Sequence, residues 1–149
     1  MAGPDLETKD DAARWQRLGV HYARFALGAA FLSAVGGRLG IWKGDFAAHF
    51  RNFLQYTAEV NSFMPASTIP FLAWAATACE LSLGIALIVG FRLRWVALGA
   101  AFLLAIFGTA MAISLGIKSP MDYSVFSASA AAFLLSQSQV APQEKKESS

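Results

Sequence analysis

Apolar residues gather into four stretches separated by short polar punctuation. The first runs from about His21 to Trp42, the second from Ile69 to Gly90, the third from about Trp95 to Ile117, and the fourth from Tyr123 to about Ser136. The second, IPFLAWAATACELSLGIALIVG, has about 22 residues, so as a helix it covers roughly 33 Å, enough to cross a bilayer's hydrocarbon core. Pro70 suits the first turn of that helix and Gly90 its end, after which Phe91-Arg92-Leu93-Arg94 forms a tight basic connection. The fourth stretch is rich in Ser and Ala and is the least hydrophobic. Small residues recur every four positions, as in Gly36/Gly40, Ser82/Ala86 and Gly108/Ala112/Gly116, a spacing that lets membrane helices approach closely.

Between the first two stretches lie about 26 residues, too many for a plain turn. From Asp45, an expected N-cap, Phe46, Phe50, Phe53, Leu54 and Thr57 recur at helical spacing, with Asp45, His49, Asn52, Tyr56 and Glu59 on another face. This predicts an amphipathic helix lying in the membrane interface or folded as a cap over the other helices. Met1–Asp11 reads as a polar, mobile tail and Ala12–Val20 as a short interfacial helix. The chain therefore divides into a cytoplasmic tail over 1–20, a membrane domain over 21–136 and a disordered cytoplasmic tail over 137–149. The expected fold is all-α: an integral membrane four-helix bundle with an interfacial helix between its first and second spans.

Composition agrees. Of the 149 residues 56% are hydrophobic and only 15% charged, against about a quarter charged in soluble domains. The net charge of +2 and the lack of a basic run exclude nucleic acid as a partner and leave the lipid bilayer. With four spans, eight of the twelve Lys and Arg residues fall on the side of both termini, which the positive-inside rule assigns to the cytoplasm. Trp42 and Trp74 then lie near the outer boundary and Trp95 near the inner one. Cys79 is the only cysteine, which excludes an intrachain disulfide; within an apolar span it reads as an inert, buried packing residue.

One carboxylate is out of place. Glu80 sits near the middle of the second span, where an ionised side chain costs about 2.5–3.5 kcal/mol on insertion scales. In the first span Arg24 and Arg38 share a face, roughly 21 Å apart along the axis. Side chains lean towards their helix's N-terminus, so on antiparallel helices Arg38 and Glu80 lean towards each other, while Arg24 leans back to the headgroups. Arg38 is thus the expected partner of Glu80. Tyr123, with Ser124 and Ser127, is placed to line a pocket from the fourth span, and Asp122 to cap that span. His21 and His49 fall on opposite sides of the membrane and cannot share a metal or haem, so no metal site is expected. P-loop, GxSxG, HExxH and Rossmann signatures are absent, and no catalytic residue is assigned. Two readings of the pair stand side by side. It is either a staple fixing helix register, or one wall of a polar pocket for an amphipathic, quinone-like ligand with Arg38 donating to a carbonyl and Glu80 handling a proton.

RFALGAAFLSAVGGRLGIW, FMP, ELSLGIALIVGFRLRW and LGIKSPMDYSVFSASAAAFLL, in that order, resemble the DoxX family of small four-helix membrane proteins over about Leu18–Leu135. The residues that carry the likeness are Arg24 and Gly28, Ser33 and Arg38, Glu80 and Gly84, and Gly90 with Arg94. The resemblance implies a multi-pass protein of the bacterial cytoplasmic (inner) membrane. It further implies a small subunit of a quinone-linked redox complex, such as one of the thiosulfate:quinone type, working with other membrane or redox proteins or as a homo-oligomer. A non-catalytic assembly or chaperone protein with a structural Glu80–Arg38 pair is the alternative. An exporter is disfavoured, since small multidrug transporters carry their membrane glutamate in the first helix.

Overall fold

The computed structural model describes residues 4–42 and 44–138, and these are helical with no strands. Helix α1 spans Pro4–Arg38, α2 Phe46–Val60, α3 Ile69–Val89 after a single 3-10 turn at Ala66–Thr68, α4 Leu93–Leu115, α5 Lys118–Asp122 and α6 Val125–Gln137. Three of them, α1, α3 and α4, contain stretches long and apolar enough to cross a membrane. The chain is a multi-pass membrane protein.

Two expectations about the first helix are corrected. Instead of a mobile tail, a short interfacial helix and a separate span, α1 is one helix of 35 residues. Lys9, Ala12, Ala13, Arg14, Gln16 and Arg17 are good helix formers, so a change in hydropathy there brings no change in backbone. The helix also stops at Arg38 rather than Trp42. Gly40 takes a left-handed φ of +68°, and the Ile41 amide reaches back to the Gly36 carbonyl at 2.9 Å, closing the end.

The fourth stretch differs too. Ser124 has a φ of +54°, which separates α5 from an α6 of 13 residues. At about 1.5 Å per residue α6 is roughly 20 Å long, short of a ~30 Å hydrocarbon core. Asp122 closes α5 and pairs with Lys118, and Ser124 holds the N-cap position of α6 that Asp122 was expected to fill. The expected C-terminal tail lies, from residue 139 onward, outside the described residues, as does Lys43.

α1, α3, α4 and α6 pack together around small side chains: Ala97, Ala100 and Ala132 are fully buried, with Leu27, Phe31, Leu87 and Leu135 between them. The outward faces carry Phe71, Ile85, Phe102, Ile106 and Ile113, the inverse of a soluble bundle and the pattern of helices that meet lipid. Cys79 is on such an outward face; the burial expected for it is not found. α2 crosses one end of the bundle, touching α1, α3 and α4. Its Asp45 accepts from the Ala48 amide at 3.1 Å, as an N-cap should. Phe50 sits 4.5 Å from Trp74, centroid to centroid, and Val60 is buried with Ala110 and Met111. Of the face predicted from periodicity, Phe50 and Thr57 are buried while Phe46 stays half-exposed.

Candidate functional site

α1 and α3 are antiparallel and pressed together at two glycines. A Cβ on Gly28 would fall 2.8 Å from Ile88 Cδ1 and 3.1 Å from the Gly84 carbonyl oxygen, and one on Gly84 would fall 3.0 Å from Leu32. This close crossing fixes the register, and the register brings the last residue of α1, Arg38, level with Glu80.

The two side chains meet as a fork. Arg38 Nη2 donates to Glu80 Oε1 at 2.9 Å, and Nη1 stands 2.8 Å from Oε2. Only the first contact has hydrogen-bond angles. The second is an ion contact, and both of its atoms are buried without a hydrogen-bond partner. The Glu80 side chain is 3% exposed and that of Arg38 17%. Both charges are withdrawn from water, and their mutual attraction offsets the cost of that burial.

Phe53 of α2 closes the other side of Arg38: the guanidinium carbon lies 4.0 Å from its ring centroid, within cation–π range. Beside Glu80 is a cavity of about 150 Å³ lined by Leu27, Ala30, Phe31, Ala34, Leu104, Phe107 and Ala128, with Glu80 its only charged residue; Ala30 and Ala34 are exposed, so it opens to the outside of the bundle. A cavity of this size admits a benzene-sized ring or a few waters, and is smaller than the roughly 300 Å³ at which drug-sized pockets begin.

The other residues singled out from sequence lie elsewhere. Arg24 is at the far end of α3, where a Cβ on Gly90 would collide with its Nη1. Its guanidinium rests over Phe25 at 4.9 Å, and its Nε is buried with no hydrogen-bond partner among the described residues. Gly90 is ten residues past Glu80, roughly 15 Å along the helix, so Arg24 takes no part in the cluster around Glu80. Tyr123 stands exposed at the α5–α6 break, close enough to Tyr56 of α2 to act on it electrostatically. It does not line the cavity; from α6 that place is taken by Ala128. His21 and His49 each turn Nδ1 to a backbone carbonyl one turn earlier, at 2.8 and 2.9 Å. Among the described residues no group of side chains could hold a metal ion.

Two aromatic residues join the cluster that sequence did not assign to it. Phe53 carried a signal, its place on the inward face of α2, but nothing in the period says which cation it covers. Tyr56 lies on the opposite face by spacing, yet burial pushes its phenol above the ordinary value, Tyr123 adding to the rise, Arg38 opposing it and Glu59 adding again. Tyr56 is thus within electrostatic reach of both Tyr123 and Arg38.

The DoxX family model matches residues 19–113, well over half of the chain, taking in the membrane part of α1, all of α2 and α3 and most of α4. Comparison with curated proteins and with solved structures gives no match. Arg24 against Gly90, Gly28 against Gly84 and Arg38 against Glu80 are successive α1–α3 contacts, all inside the matched region. By that match, the chain belongs to the DoxX family.

Proposed function

We propose that this chain is a small membrane subunit of a quinone-linked redox complex, in which the Arg38–Glu80 pair is the ligand-facing element. The observation that carries the reading is a buried ion pair whose Glu80 borders a small cavity and whose Arg38 is covered by an aromatic ring. Arg38 has donors to offer a carbonyl oxygen, and Glu80 has an oxygen without an aligned partner on which a proton can rest. A bound quinone would supply the redox chemistry. The fit is limited to one ring, so a long tail has to leave the cavity between helices. Phe53 excludes water from the guanidinium.

In the same reading the α5–α6 segment counts as a fourth crossing, α2 lies in the outer interface of a bacterial inner membrane and both termini face the cytoplasm, which the distribution of Lys and Arg counted over four spans supports. Arg24 belongs to the opposite interface. Partners are other membrane or redox proteins.

A second reading is favoured by one specific observation: the pair is already mated, and the rest of the cavity wall is apolar. A staple in an assembly or interaction protein needs nothing more. Quinone binding to the purified protein separates the two. Under the first reading the wild type binds a short-chain quinone, and Glu80→Gln and Arg38→Ala each abolish binding while the helical signal is kept. Binding that survives both substitutions rejects the pocket. A folded wild type that binds no quinone, yet co-purifies with a membrane complex, selects the second reading.

A further inference from the structure

Away from the ion pair, the outer seam of α4 and α6 forms an open groove of about 830 Å³. Trp95, Phe102 and Ala105 line it from α4, and Phe126, Ala130 and Phe133 from α6. The one hydroxyl in the seam, Ser129, donates to the Ala101 carbonyl at 2.7 Å. The groove therefore makes no polar demand on an occupant, and a chain of methylenes satisfies it. From Trp95 to Ala105 it follows about 15 Å of helix at ~1.5 Å per residue, half of a ~30 Å hydrocarbon core and so the depth of one leaflet.

Charge marks one end only. Trp95 stands at the mouth, 65% exposed, with the Arg94 guanidinium 5.7 Å from its ring. Arg92, beside Phe91 at 5.9 Å, is two residues away in the same connection. No Asp or Glu occurs between Leu81 and Met121, nor within α6, so neither helix of the seam brings a carboxylate to these arginines.

We propose that the α4–α6 groove holds one acyl chain of an anionic phospholipid whose phosphate is bound by Arg94 and Arg92. Acyl chain and phosphate are recognised together: the groove selects a lipid over free phosphate, and the arginines select an anionic headgroup over a zwitterionic one. The site is independent of the Arg38–Glu80 pair and of any quinone.

The test is native mass spectrometry of the full chain, delipidated and incubated with phosphatidylglycerol or with phosphatidylcholine of identical acyl chains. One phosphatidylglycerol per chain is expected, retained about tenfold or more over phosphatidylcholine. Arg92→Gln/Arg94→Gln lowers its retention to the phosphatidylcholine level, Ala130→Phe lowers retention of both lipids, and excess inorganic phosphate displaces neither. Equal retention of the two lipids overturns the proposal, as does indifference to the arginine pair or complete displacement by phosphate. A lipid-free dimer also overturns it, by filling the groove with a second copy. The wild-type comparison decides by itself if a variant fails to fold.

Discussion

Arg38 and Phe53 meet face to cation, with the guanidinium carbon 4.0 Å from the ring centroid. The contact joins α2 to the ion pair beneath it, so the helix between the first two spans is part of the buried electrostatics and more than a membrane anchor. Phe53→Leu keeps the apolar bulk and removes the ring. It should lower stability by about 0.5–2 kcal/mol in thermal unfolding in detergent and speed the labelling of Glu80 by a hydrophobic carbodiimide. Unchanged labelling would mean that Phe53 does not cover the pair.

Removing one member of the pair should cost far more than removing both. Arg38→Ala leaves a buried carboxylate unmatched and is expected to destabilise by about 3–5 kcal/mol. Arg38→Met/Glu80→Leu replaces the pair by apolar groups of similar volume and should regain most of that loss. Unfolding by a denaturing detergent provides the comparison, and a double variant as weak as the single would contradict the account.

Glycines of α1 should respond in opposite directions. Gly28→Ala places a methyl 2.8 Å from Ile88 and 3.1 Å from the Gly84 carbonyl oxygen, and overpacking there should cost about 1–3 kcal/mol. Gly19 has nothing within 4 Å of such a methyl and lies in mid-helix, so Gly19→Ala should stabilise by about 0.5–1 kcal/mol. That gain disappears if the chain is not helical through Gly19, which makes the substitution a test of the continuous α1.

Gly90 has a φ of +81° and closes α3. Gly90→Ala strains a left-handed residue, at a cost of about 1–2 kcal/mol, and displaces the Arg24 guanidinium. Both effects should appear as lower thermal stability, and Arg24→Ala in the same background should relieve only the collision.

Tyr56 should titrate above free tyrosine in ultraviolet difference spectra, because burial disfavours its phenolate. Tyr123→Phe removes a contributor to that rise and should bring the midpoint down. A midpoint that stays put would separate the two tyrosines.

The ion pair was legible because charged residues in apolar spans are few, and antiparallel helices with N-terminal lean leave Glu80 one good partner. The α2 face was legible from its period, and Gly90 as a helix end from its place after an apolar run. Other features had no such signal. Ser124 adopts a left-handed conformation that no residue type announces, and it shortens α6. Arg24 shares a face with Arg38, but spacing alone does not say that it ends beside Gly90. The continuity of α1 is hidden by a change from polar to apolar side chains that leaves the backbone unaffected. The size of the cavity beside Glu80 depends on how Leu27, Leu104 and Phe107 interdigitate, which sequence does not encode locally.

The unbroken α1 has a mechanical consequence. Its 35 residues make a rod of about 52 Å, roughly 20 Å longer than the hydrocarbon it crosses. The surplus lies at the N-terminal end, where Lys9, Asp10, Arg14 and Arg17 are exposed, and the opposite tip carries Arg38. The rod can act as a lever with the tight crossing at Gly28 and Gly84 as its fulcrum. A protein gripping the projecting end in the aqueous phase would then tilt the guanidinium against Glu80 without entering the membrane.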